Sequence, residues 1–150
     1  MKAIKKILYP TDFSDNSRPA FMYALLLAEK FGAKLFIQHV FSEERTLDPI
    51  FVAGGFKIDE MWSYMQENFI PMVKKVVGNE AKDVEYEAVL SNGKPCDEII
   101  RFAERENIDM IVMGTHGETG LEHFMIGSIA ERVLSCLLYT SDAADELDGV

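Results

Sequence analysis

Residues 108–128 read IDMIVMGTHGETGLEHFMIGS, a mostly apolar run of six followed by a segment with four glycines in fifteen positions. A short apolar run cut off by glycine has the pattern of a strand buried on both faces of a parallel sheet. Glycine gives up the most conformational freedom on folding, so it is kept mainly where φ must be positive or where something approaches the backbone closely. The spacing here is Gly114-x2-Gly117-x9-Gly127-Ser128, which is neither a GxGxxG dinucleotide fingerprint nor a GxxxxGK[ST] phosphate loop. The following SIAERVL has a helical pattern, which would place the free N–H groups of Ser128 and Ile129 at a helix N-terminus, where phosphate binds well. The residues alone leave a second reading open. LEHFMIGSIAERVL would then be one continuous helix that tolerates Gly127 at a cost of about 1 kcal/mol, with the earlier glycines only turning the chain.

Working outward, the rest of the chain supplies alternating strands and helices. KKILYP is a short apolar burst ended by Pro10, and PAFMYALLLAEKFGA places Ala20, Ala24, Leu27, Ala28 and Phe31 on one helical face, with Gly32 as the stop. KLFIQHVF is a second strand. Residues 42–56 have no clean period and contain Pro49 and Gly54-Gly55, the pattern of a long mobile loop. Apolar residues from Ile58 to Val76 recur at helical spacing, which predicts a second helix kinked near Pro71. VEYEAVL alternates as a strand, and PCDEIIRFAEREN opens a helix with Pro95 and two acids in its first turn. Units of about 30 residues in this order call for a doubly wound, parallel, Rossmann-like α/β sheet with helices on both faces. For a five-stranded order 3-2-1-4-5, the ligand crevice lies between the first and fourth strands, where the strand order reverses. Thr11-Asp12 and the glycine segment would then face each other across it.

Composition narrows the function classes. At 150 residues the chain is expected to be one domain that buries roughly 70% of its unfolded surface. A formal net charge of -10 argues against sequence-independent binding to nucleic acid or anionic membranes, which need clustered Lys and Arg. No apolar run has the length of a membrane span, and MKAIKKILYP has no secretory pattern, so a cytoplasmic location is expected. Cys96 and Cys136 show no metal-ligand spacing, and His39, His116 and His123 add none, so no metal site is expected. No carboxylate or nucleophile stands at a recognisable offset from His116, and Ser128 lacks a GxSxG elbow, so no catalytic residue is assigned.

The glycine spacing after IVM, the early PTDFS at 10–14 and the intermediate GKPCDEIIRFAERENIDMIVMGTHG together resemble the universal stress protein family in its ATP-binding branch. The resemblance runs from Lys5 to about Leu134. It implies the doubly wound fold, ATP binding, a role as a nucleotide-dependent module in a stress response, and a homodimer paired through the sheet edge. By position it implies that Asp12 contacts the ribose, that Thr11 and the main chain of Val40 border the adenine, and that Met113 and Gly114 line the nucleoside. Gly117, Gly127, Ser128 and Ile129 would hold the phosphates, and Pro10 and His116 would complete the surroundings of the nucleotide. Many relatives carry a basic residue where this chain has Glu118, so the phosphate charge would be met by backbone amides and Mg2+. Asp12 also has a plainer role available, as the acceptor of the turn before the first helix. A slow ATPase or adenylyl-transfer enzyme using the same pocket, and a ligand-free structural dimer, are the alternatives.

The family resemblance implies a closing fifth strand from about Cys136, where this chain reads CLLYTSDAADELDGV. That string resembles the translated read-through of a transposase-type sequencing adapter. Residues 1–135 are therefore expected to form the domain and 136–150 a non-native tail, with the last strand missing or replaced. A sheet with an altered edge is expected to pair poorly.

Overall fold

The computed structural model describes residues 3–42, 53–55 and 57–114. Within them lie strand β1 (Lys6–Pro10), a 3-10 turn (Asp15–Ser17), helix α1 (Arg18–Phe31), strand β2 (Lys34–Phe41), helix α2 (Ile58–Val77), strand β3 (Tyr86–Asn92), helix α3 (Pro95–Arg105) and strand β4 (Met110–Ile111). The four strands are parallel and lie in the order β3-β2-β1-β4, with Pro10 opposite Gln38 and Leu8 opposite Ile111. The expected order is present as far as these strands go. The fifth strand, the glycine segment after Gly114 and most of the 42–56 loop lie outside the described residues.

Strand alternation sorts the core into two layers. Ile7 and Tyr9 of β1 and Leu35 and Ile37 of β2 face one side, where they pack with Phe21, Ala24 and Leu25 of α1 and Phe69, Val73 and Val77 of α2. Leu8 and Phe36 face the other side and meet Cys96, Ile99, Phe102 and Ala103 of α3. Helices therefore cover both faces, as parallel strands with crossover connections require. Small residues at Ala20, Ala24 and Ala28 let α1 approach the sheet closely.

Each helix also carries its own termination. Gly32 has a φ of 63°, and the chain closes a Schellman cap, with Ala33 N–H donating to the Ala28 carbonyl at 2.9 Å and Gly32 N–H to that of Glu29 at 3.3 Å. α2 has Asp59 and Glu60 in its first turn and Lys74 and Lys75 in its last, each matched to the helix dipole. It runs through Pro71, whose missing N–H removes one helical hydrogen bond on the exposed side. α3 begins at Pro95 with Asp97 and Glu98 in its first turn.

Three expectations from the sequence are corrected. The buried stripe of α1 is Ala20, Phe21, Ala24, Leu25 and Ala28, while Phe31 is 45% exposed and Leu27 only partly buried. Residues 19–28 carry no charge, so apolar periodicity cannot select one face of this helix. β3 spans Tyr86–Asn92 rather than 84–90, because it follows β2 along its length until Gly93 N–H bonds the Phe41 carbonyl at 3.0 Å. β4 is a strand of two residues rather than six, and its side chains are half-buried, with Met110 and Val112 packed on the first layer and Ile111 and Met113 on the second. β1 is its one neighbour among the described strands.

Candidate functional site

Between β1 and β4 the strand order reverses, because the chain leaves β1 for β2 on one side and returns from β3 to β4 on the other. In open α/β sheets this point, beyond the C-terminal strand ends, is where ligands bind. Six of the residues singled out by sequence converge there. Pro10 ends β1, Thr11 and Asp12 follow it, Val40 lies near the end of β2, and Met113 and Gly114 follow β4. The ladder holds these ends in register, with Thr11 N–H donating to the Gln38 carbonyl and Val112 N–H to the Leu8 carbonyl, at 2.8 and 2.9 Å. The other five, His116, Gly117, Gly127, Ser128 and Ile129, lie outside the described residues.

The turn after β1 is tightly bonded. Thr11 is buried, its Oγ1 lies 3.1 Å from Ser17 Oγ, and it accepts the Phe13 N–H at 3.0 Å. The hydroxyl is thus occupied internally, and only the rest of the residue can border a ligand. Asp12 Oδ1 accepts Ser14 N–H at 2.9 Å and the Ser14 hydroxyl at 2.5 Å, which is the plainer turn role. Its Oδ2 takes no hydrogen bond from a described residue, and the side chain, two residues beyond the C-terminal end of β1, is half-buried. The carboxylate can therefore fix the turn with one oxygen and offer the other.

Sequence reading missed what holds this turn from behind. Phe13 has a φ of 62°, a left-handed conformation that costs a non-glycine residue about 1–2 kcal/mol. Its ring lies 4.8 Å from that of His39 and 6.2 Å from that of Phe69. His39 Nδ1 lies 2.8 Å from the Thr11 carbonyl oxygen. The histidine at the end of an apolar strand was the one sequence signal available. Gln38, wholly buried on the opposite face, donates from Nε2 to Ser91 Oγ at 3.0 Å and to the Glu98 carbonyl at 3.3 Å, while its Oε1 accepts no hydrogen bond from a described residue.

Tyr9 supports the same turn from the core. It is fully buried, and its hydroxyl donates to the Ser17 carbonyl at 2.8 Å. Burial disfavours the phenolate and raises its pKa above the ordinary phenol value. A raised folded-state pKa gives stability that is complete below the unfolded value, about 10, and is lost as pH climbs through the folded value. Tyr9→Phe should cost about 1 kcal/mol at neutral pH. The gap between wild type and variant, followed by thermal melts, should narrow above about pH 10. A gap that stays constant with pH would contradict this.

A second hollow, at the opposite, N-terminal ends of β1 and β4, is lined by Ala3, Lys5, Lys6, Asn107 and Asp109. It reads as a structural clasp. One Asp109 oxygen accepts the N–H groups of Lys5 and Lys6 at 2.9 and 3.0 Å, and Lys6 Nζ donates to the Glu106 carbonyl at 2.9 Å. Among the described residues no group of three His, Cys, Asp or Glu could hold a metal ion, and no helix is long and apolar enough to cross a membrane.

The model of the universal stress protein family matches residues 3–135. The chain belongs to that family. It is 35% identical to the universal stress protein MJ0531 of Methanocaldococcus jannaschii over 130 residues, covering 87% of this chain and 75% of that one. It is 32% identical to MJ0577 of the same organism over 142 residues, covering 87% and 88%. The solved structure of MJ0577 superposes with a TM-score of 0.66 at 29% identity, covering 89% of this chain and 90% of that one. A universal stress protein crystallised in complex with cAMP shares the fold, with a TM-score of 0.61 at 21% identity, covering 89% and 90%.

Proposed function

We propose that this member of the universal stress protein family binds ATP at the β1–β4 crevice and acts as a nucleotide-dependent regulatory module in a stress response. The observation that carries the reading is the convergence of Pro10, Thr11, Asp12, Val40, Met113 and Gly114, from three strands, at the point where strand order reverses. Asp12 presents an oxygen to ribose hydroxyls, the Val40 main chain and Thr11 border the adenine, and Met113 and Gly114 line the nucleoside. Gly117, Gly127, Ser128 and Ile129 take the phosphates through backbone N–H groups, with His116 beside them. A family member in complex with cAMP supports an adenine nucleotide as the ligand class. Mg2+ would enter with the phosphates and offset their charge, which Glu118 does not. The family domain is residues 1–135, and with its closing strand in place it would work in the cytoplasm as a homodimer through the sheet edge.

Asp12→Asn separates the two roles of this side chain. Asparagine keeps an Oδ1 acceptor for Ser14 but loses the charge, and hydrogen bonds to charged groups contribute about 1.5–3 kcal/mol against about 1 for neutral ones. The expected result is ATP affinity lowered about tenfold, with the melting temperature of the free protein little changed. Titration calorimetry beside a thermal melt reads both. Unchanged affinity would leave Asp12 as a turn former and remove the ribose contact.

A further inference from the structure

We infer that His39 is the positioning residue for ribose recognition, holding the residues on both sides of Asp12 so that its carboxylate faces the crevice. The inference rests on the nucleotide reading above and concerns a side chain that does not itself touch the ligand. His39 reaches across from β2, and its Nδ1 lies 2.8 Å from the oxygen of Thr11. A carbonyl only accepts, so Nδ1 carries the proton and donates. The bonded carbonyl belongs to the peptide joining Thr11 to Asp12, so the bond fixes the plane from which Asp12 projects. On the far side of Asp12, Phe13 stands at a φ of 62°, with its ring 4.8 Å from the imidazole.

A bulky residue in the left-handed region persists only where its surroundings over-determine it. Here the Phe13 N–H is bonded to Thr11 Oγ1 at 3.0 Å, and the ring is held by His39 on one side and by Phe69 of α2 on another. Without His39, the peptide before Asp12 and the ring after it both lose a partner. The turn then relaxes toward ordinary φ, and Asp12 leaves its place beyond the end of β1. Thr11 N–H on the Gln38 carbonyl and Tyr9 on Ser17 still anchor the strand end, so the loss falls on orientation rather than on folding.

The test compares ATP with 2′,3′-dideoxyATP, which lacks the hydroxyls that Asp12 would accept from. Wild type should prefer ATP by about tenfold or more, as expected for a lost charged hydrogen bond. His39→Leu removes the donor and should shrink that preference to within about twofold, chiefly by weakening ATP. His39→Asn, whose Nδ2 stands in for Nδ1, should keep most of it. Should His39→Leu not fold, His39→Gln carries the same expectation, because its amide lies one bond too far out. Wild type that binds neither nucleotide would overturn the nucleotide reading and this inference together. Wild-type preference retained in His39→Leu and His39→Gln, or both nucleotides weakened equally, would overturn the inference alone.

Discussion

Gly127→Val should abolish ATP binding, a loss of at least about a hundredfold, or about 2.7 kcal/mol, while the described sheet stays folded. The expectation follows from what the glycines are for. Gly114-x2-Gly117-x9-Gly127-Ser128 begins three residues beyond the last residue of β4, whose end lies beside that of β1. If phosphates sit against the backbone N–H groups there, a Cβ with two methyl groups occupies the space they need and resists any positive φ. Gly117→Val should behave alike. The alternative, in which the glycines only turn the chain, gives the opposite pattern, with lower stability and unchanged affinity per folded molecule. Titration calorimetry with a thermal melt distinguishes the two.

Phe21→Ala should be the most damaging single change to stability, costing about 3–5 kcal/mol. Phe21 is fully buried on α1, 5.6 Å from the ring of Tyr9, and it belongs to the layer that joins α1 and α2 to the sheet. The neighbours cannot close the void cheaply, because Ala20 and Ala24 beside it already hold the helix near the sheet. A fall in melting temperature on the order of 10 °C is expected. Trp62, the one tryptophan of the chain, packs on Phe41 with centroids 5.3 Å apart and provides a fluorescence probe of unfolding. The matching change on the outer face, Tyr23→Ala, should be nearly neutral, since Tyr23 is 66% exposed.

A parallel α/β sheet with helices on both faces was legible in the sequence, because alternation of period 2 with period 3.6 and short connections leave few topologies, whereas the order 3-2-1-4, and with it the place of the reversal, entered as a condition that the strand pairing meets. The buried face of α1 was not, since a helix without charges from residue 19 to 28 offers no polar side to read. The limits of β3 were set by its partner: it runs on to Asn92 because β2 runs on to Phe41. The site divides in the same way. Pro10, Thr11 and Asp12 are adjacent in sequence and could be read as one motif. The bond from His39 to Thr11 joins residues 28 apart, and the left-handed φ of Phe13 has no glycine or asparagine to announce it. That Asp12 fixes the turn with one oxygen, while the other takes no hydrogen bond from a described residue, needed the positions of both.

The measurement that bears most directly on the proposed function is the nucleotide content of the protein itself. Protein purified at low ionic strength with magnesium, then denatured and its supernatant resolved by anion-exchange chromatography, should release adenine nucleotide, mainly as ATP. The Gly127→Val protein prepared in parallel should release none. Release of ADP or AMP instead, with turnover of added ATP that falls in Ser128→Ala or His116→Ala, would contradict a binding module and point to an enzyme. No nucleotide in the wild-type extract and no binding of added ATP would contradict the account at its centre.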